Sequence, residues 1–238
     1  MKKLTCYLLG QREKITVGAL SILNFQQNFL RLPPNLKLRT RRIGVARNDI
    51  ILLSKILDIP SCLPMGAILT SAWREAYFED PLIQSSAELQ LNARYSAYWL
   101  PVLMRIQNKT VIMLNLCFSG EEIRSIIRNM IDNRREVGTS VTLDCYGERS
   151  LNRLVRKVKE RFKGTSVTFK ETPKSVVVIS DIVSIPLDSD KELIVSGFKN
   201  TCIDKKIRIQ LAVVRTGMVV PVEEKKEKKR SLRFPWFS

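Results

Sequence analysis

From Ser140 onward the chain alternates short β-branched runs with polar turns, and that rhythm limits it to a sheet-based fold. The runs are SVTLDCY (140–146), SVTFK (166–170), SVVVISDIVSI (175–185), ELIVSGF (192–198) and KIRIQLAVV (206–214). They read as strands with polar turns between them. Two segments have helical spacing instead, one before this region and one within it. SGEEIRSIIRNMIDN (119–133) opens with Ser119 and Glu122 at capping-box spacing, and Ile123, Ile126, Ile127, Met130 and Ile131 form its apolar stripe. A second helix is expected to begin at Ser150 and to bury Leu151, Leu154, Val155, Val158 and Phe162, with Gly164 as its terminator.

The N-terminal half carries weaker signals. KLTCYLLGQREKITVGALSIL predicts two strands around a turn at Gly10–Lys14, and RLPPNLKLRTRRIGVAR continues extended after Pro33-Pro34. In a strand, Lys37, Arg39 and Arg41 share one face. Asn48 or Asp49 caps a short helix through Leu57, ending before Pro60. The stretch 68–78 suits a helix or a strand equally. ELQLNARYSAYW (88–99) alternates strictly, placing Leu89, Leu91, Ala93, Tyr95, Ala97 and Trp99 on one face of a half-buried antiparallel strand. VLMRI and TVIMLNLCF then continue a meander through a turn at Asn108. The expected fold class is α+β: a mainly antiparallel, meander- or sandwich-like sheet with three to four amphipathic helices on its faces. Residues 1–107 form a β-rich part and 108–222 an α+β part, the two separate or a single domain, followed by a flexible basic-aromatic tail at 223–238.

Charge is the second constraint. Forty Lys and Arg against 23 Asp and Glu give a net +17. The surplus is spread over the whole chain, so the folded body should attract polyanions by steering and counterion release. The chain has no histidine, which excludes Ser–His and Cys–His nucleophiles and His-ligated metals. Its five cysteines, Cys6, Cys62, Cys117, Cys145 and Cys202, lack a C-x-x-C pair and suit reduced, buried thiols in an intracellular protein. No phosphate-binding loop or nucleophile elbow occurs, and Asp188 and Asp190, with Asp181 nearby, are better explained as turn residues than as Mg²⁺ ligands. The expectation is therefore a non-enzyme with no catalytic residue, metal or cofactor. The richest apolar region, IILLSKILDIPSCLPMGAIL, is interrupted by Lys55, Asp58, Pro60 and Pro64 and is not expected to span a membrane. The N-terminus lacks a cleavage pattern for secretion.

Three cationic segments are the candidate sites. The helix at 149–163 carries Arg149, Arg153, Arg156, Lys157, Lys159, Arg161 and Lys163, with Glu160 its single acid. Like charges at that spacing repel, and a bound anion would convert the cost into a gain. Lys37, Arg39, Arg41 and Arg42 belong to a second patch, together with Arg31 and Arg47. The terminal KKEKKRSLRFPWFS offers Lys225, Lys226, Lys228, Lys229, Arg230 and Arg233 beside Phe234, Trp236 and Phe237. Cations and interfacial aromatics together suit the headgroup zone of an anionic membrane. KKEKKR also fits a nuclear localisation signal, and the aromatics could instead dock on a neighbouring subunit.

In size, charge and layout the chain resembles the matrix proteins of negative-strand RNA viruses, without a P-P-x-Y or P-[ST]-A-P motif. The resemblance implies a peripheral membrane protein of the virion or inner membrane face that self-associates and joins anionic lipid to nucleoprotein or RNA. The alternative is an RNA-binding accessory protein, of the silencing-suppressor or movement type, without membrane affinity.

Overall fold

The computed structural model describes residues 13–22, 36–45, 55–62, 66–70, 78–92, 96–169, 176–200 and 206–222. Among them the strands are β1 Lys14–Thr16, β2 Leu20–Ile22, β3 Lys37–Arg39, β4 Arg42–Val45, β5 Ala67–Thr70, β6 Glu88–Asn92 and β7 Thr110–Cys117. They continue with β8 Ser140–Asp144, β9 Thr165–Phe169, β10 Val176–Val178, β11 Ile182–Pro186, β12 Lys191–Asn200, β13 Ile207–Arg215 and β14 Val219–Pro221. Three helices, α3 Ser96–Arg105, α4 Gly120–Asp132 and α5 Glu148–Phe162, are accompanied by two single turns, α1 Ile59–Cys62 and α2 Pro81–Gln84.

β1 and β3 form a small parallel pair, and the other strands build one sheet in the order β14-β9-β11-β12-β13-β8-β7-β6-β5-β4-β2, with β10 also on β12. The ladders joining β2, β4, β5, β6, β7 and β8 are parallel. Those joining β8, β13, β12, β11, β9 and β14 are antiparallel, as is β10 with β12. The protein is thus mixed α/β, with antiparallel ladders in a narrow majority within the large sheet and helices packed on it. Because β6 and β7 are neighbours, the sheet runs without a break across residue 107.

Period-two alternation assigns the two faces of the sheet. Leu89 and Leu91 of β6, Met113 of β7, Leu143 of β8, Leu211 of β13, Val195 of β12 and Val183 of β11 belong to one core. The same core takes Val102 and Leu103 of α3, Ile123 and Ile127 of α4, and Leu151 and Val155 of α5. Each such fully buried side chain contributes about 1.5–3 kcal/mol relative to exposure. The alternate strand positions turn the other way. Ile182, Ile194, Val167 and Val219 make a small second cluster there, beside the polar positions Thr142, Asp144, Arg208 and Gln210.

The expected strand at 88–99 ends at Asn92, and it is parallel to both neighbours. Trp99, Val102, Leu103 and Ile106 are buried at helical spacing, so Val102–Arg105 lie in α3 with Ile106 just past its end, and VLMRI is not a meander strand. A parallel pair needs a crossover, and α3 supplies it between β6 and β7. Asn108 is not in a hairpin turn. Its buried amide donates to Ile83 O and Ser86 O, both at 2.7 Å, and ties α2 to the start of β7.

Smaller differences have equally local causes. Lys14 opens β1 instead of closing a turn, Leu57 bridges Leu38 in extended form, and Pro60 sits inside α1, whose first turn needs no donor from it. Of the ambiguous stretch, Ala67–Thr70 is strand. The first strand around Leu4–Leu9 and the cap at Asn48 or Asp49 fall outside the described residues. β14 carried no clear sequence signal.

The capping box forms as expected: Ser119 Oγ accepts from Glu122 N at 3.3 Å, and Glu122 Oε2 accepts from Ser119 N at 2.7 Å. α5 begins at Glu148, two residues early, and it ends through Lys163 in the left-handed conformation (φ 52°). Gly164 is needed for space instead: a Cβ there would lie 2.4 Å from Val183 Cγ1. Gly197 of β12 is tighter still, with Leu151 Cδ2 at 2.2 Å from where its Cβ would stand. Gly197→Ala should therefore cost about 1–3 kcal/mol through overpacking beneath α5. Gly18→Ala, with nothing within 4 Å, should leave the urea midpoint unchanged. Equal midpoints for the two variants would refute the packing argument.

Candidate anion-binding face

α5 lies on β11, β12 and β13 through Leu151, Val155 and Val158, all buried, which turns its other faces outward. Arg149, Arg153, Arg156, Lys157, Arg161 and Lys163 are exposed. None of them makes an ion pair with another described residue. Arg149, Arg153, Lys157 and Arg161 follow one another at four-residue steps of about 6 Å rise, forming a row down the helix. The acids of this helix are Glu148 in the first turn and Glu160 in the last; Glu148, Lys159 and Arg161 complement the helix dipole, whereas Arg149 and Glu160 oppose it. Lys159 departs from the expectation. Its ammonium donates to Ser166 Oγ at 2.8 Å and fastens the helix end to β9.

The second expected patch is partly neutralised. Arg39 Nε pairs with Asp58 Oδ2 at 3.0 Å, and Lys14 Nζ reaches the same oxygen at 3.4 Å. Lys37 Nζ donates to Lys55 O at 2.6 Å. Arg41 and Arg42 are exposed. Arg39 is therefore corrected from a free cation to the partner of a carboxylate nineteen positions on. No local pattern announces that pairing. Arg31, Arg47 and every tail residue from 223 to 238, including Lys225, Lys226, Lys228, Lys229, Arg230, Arg233, Phe234, Trp236 and Phe237, lie outside the described residues.

Two arginines overlooked in the sequence enter the picture through α4. Arg124 and Arg128 occupy the polar side of that helix, and with Glu121 and Ser125 they face Arg161 of α5 across a cleft of about 300 Å³. Their i,i+4 spacing was visible in SIIRNM and its neighbours, but the meeting with α5 was not. Another arginine, Arg135, is buried and donates to Gln107 Oε1 at 2.8 Å, and burial lowers its pKa.

Charge is also organised at the seam between the sheet's parallel and antiparallel halves. Asp144 is buried and accepts from Arg208 Nε at 2.9 Å, from Asn115 N at 2.9 Å and from Lys206 Nζ at 3.4 Å. Asn115 sits at φ 61°, inside a register shift between Met113 and Cys117. A left-handed residue at that bulge turns its amide toward the carboxylate. This arrangement fixes structure: its cations are spent on Asp144.

Asp188 and Asp190 make the β11–β12 turn, where Asp188 Oδ1 accepts from Asp190 N at 3.1 Å, and Asp188 ionises below its usual range through its hydrogen bonds with Asp190. No cluster of three metal-ligating side chains occurs among the described residues. Cys62, Cys117 and Cys145 are free thiols. Burial, with Cys117 and Asp144 adding to it, pushes the Cys145 thiol up to about 12. It is therefore protonated near neutrality and a poor nucleophile. The unfolded chain ionises this thiol from its ordinary value of 9.0, whereas the folded chain resists. Its contribution to stability is complete below that value and is lost as pH rises toward about 12. The urea midpoint of the wild type should fall more steeply over that window than that of Cys145→Ala, and parallel curves would contradict the assignment.

No helix among the described residues is long and apolar enough to cross a membrane. No curated protein and no solved structure matches the chain. A family model does match, over residues 1–146. That span takes in β1 to β8 and α1 to α4, and it stops just short of α5. Since the match covers well over half of the chain, the protein belongs to the family described as a domain of unknown function, DUF3557.

Proposed function

We propose that this protein is a non-enzymatic adaptor in which the outer face of α5 docks on the phosphates of a nucleoprotein or RNA. The tail at 223–238 attaches the same molecule to an anionic membrane, and self-association multiplies both weak contacts, as in a matrix-like layer. The observation that carries this reading is the row of exposed arginines and lysines on α5, unpaired among the described residues. Such a face is costly in isolation, because like charges one turn apart repel, and it is most stable with a polyanion against it. The family match ends before this helix, so the docking face belongs to the part of the chain beyond it.

Binding of single-stranded RNA across a salt series tests the α5 contact. The variant Arg153→Glu, Arg156→Glu, Lys157→Glu should lose about tenfold or more in affinity at low salt. It should also flatten the salt dependence by about two units of log–log slope, at roughly 0.7 per phosphate contact. Unchanged affinity and slope would defeat the proposal. Flotation with phosphatidylcholine–phosphatidylserine vesicles tests the tail: the full chain should float and a chain ending at Val222 should not. If neither floats while RNA still binds, the alternative of an RNA-binding protein without membrane affinity replaces the matrix-like one.

A further inference from the structure

We infer that the cleft between α4 and α5 is a binding site for a single phosphomonoester group, sharing only Arg161 with the row of cations along α5. Arg124, Arg128 and Arg161 line it with Glu121 and Ser125. Three guanidiniums against one carboxylate leave a formal charge of +2 concentrated in about 300 Å³, the lower end of the range for small-ligand sites.

The arginines are not equivalent. Arg124 is held by Glu121, its Nε donating to Oε2 at 3.1 Å and its Nη2 to Oε1, and its side chain is only 21% exposed. That clamp fixes one guanidinium before any ligand arrives, which lowers the ordering cost of binding. Arg128 and Arg161 are exposed and make no ion pair with a described residue. Arg124 and Arg128 also repel one another at i,i+4. A dianion seated among the three removes that repulsion and accepts forked hydrogen bonds from planar donors.

The surplus charge selects the ligand. A backbone phosphodiester carries one negative charge, whereas a phosphomonoester carries about −1.5 to −2 near neutral pH. The cleft matches the second. It is also a concave, half-open cleft, while the row along α5 is open and suited to a continuous strand of diesters.

The inference rests on the reading of α5 as an anion-binding helix and shares Arg161 with it, but Arg124 and Arg128 belong to the cleft alone and Arg153, Arg156 and Lys157 to the open face alone, so the two fail separately. Calorimetric titration of the full chain near neutral pH compares inorganic phosphate with dimethyl phosphate, the diester analogue. Phosphate should bind about tenfold or more tightly than dimethyl phosphate, and Arg128→Gln with Arg161→Gln should reduce phosphate affinity by about tenfold or more. Both side chains are exposed, and an unchanged thermal midpoint confirms that the variant folds. The triple substitution at Arg153, Arg156 and Lys157 should leave phosphate binding intact. A second arm separates the sources of the ester. Vesicles of phosphatidylcholine with phosphatidylinositol 4-phosphate are captured through Arg128 and Arg161 if the ester is a lipid headgroup. They are ignored, with phosphate still bound, if it is a soluble one. Equal affinity for phosphate and dimethyl phosphate, or phosphate binding that survives loss of both arginines, overturns the site. RNA binding that persists in that case leaves the α5 proposal standing.

Discussion

β8 bonds to β7 along one edge and to β13 along the other, and the two ladders run in opposite senses. A central strand must satisfy its backbone donors and acceptors on both edges, since a buried peptide group without a partner costs about as much as a lost hydrogen bond. Every feature of interest follows from that placement. The segment entering β8 is α4 and the segment leaving it is α5. Both must cover the same apolar face of the sheet, so they come to rest side by side, with Leu154 Cδ1 3.6 Å from where a Cβ on Gly120 would stand. The cleft and the basic face are consequences of this junction.

The junction also disposes of charge. Arg208 is nearly buried and pairs with Asp144, and removing one partner of a buried ion pair is costly. Asp144 accepts from it and from Asn115 and Lys206, so positive charge is neutralised where water is excluded. Much of the surplus stands on exposed positions, the outer face of α5 among them, where solvent screens it.

The helices at 119–132 and 148–162 and the strands from 140 to 215 were legible because each rests on a short-range period: a capping box, a 3.6-residue stripe, or β-branched runs between turns. Residues 88–106 were misjudged for a physical reason. Leu89 and Leu91 alternate whether their strand has parallel or antiparallel neighbours, and Tyr95 and Trp99 extend the same alternation into what is a helix over its last part. Alternation reports burial of one face and says nothing about the direction of the neighbour. Likewise, the α5 cations were identified one by one, but Arg124 and Arg128 were passed over because their importance depends on what stands opposite.

Sequence alone determined the surplus of positive charge, the absence of histidine chemistry, and which side of α5 would be apolar, since all of these are properties of composition or of residues within a turn or two of one another. Tertiary structure decided which cations stay available. Arg39 meets Asp58, Arg208 meets Asp144, Lys159 meets Ser166, while Arg161 meets Arg124 and Arg128. Those encounters are set by strand order and helix packing, which bring together residues far apart in the chain, and no local period encodes them.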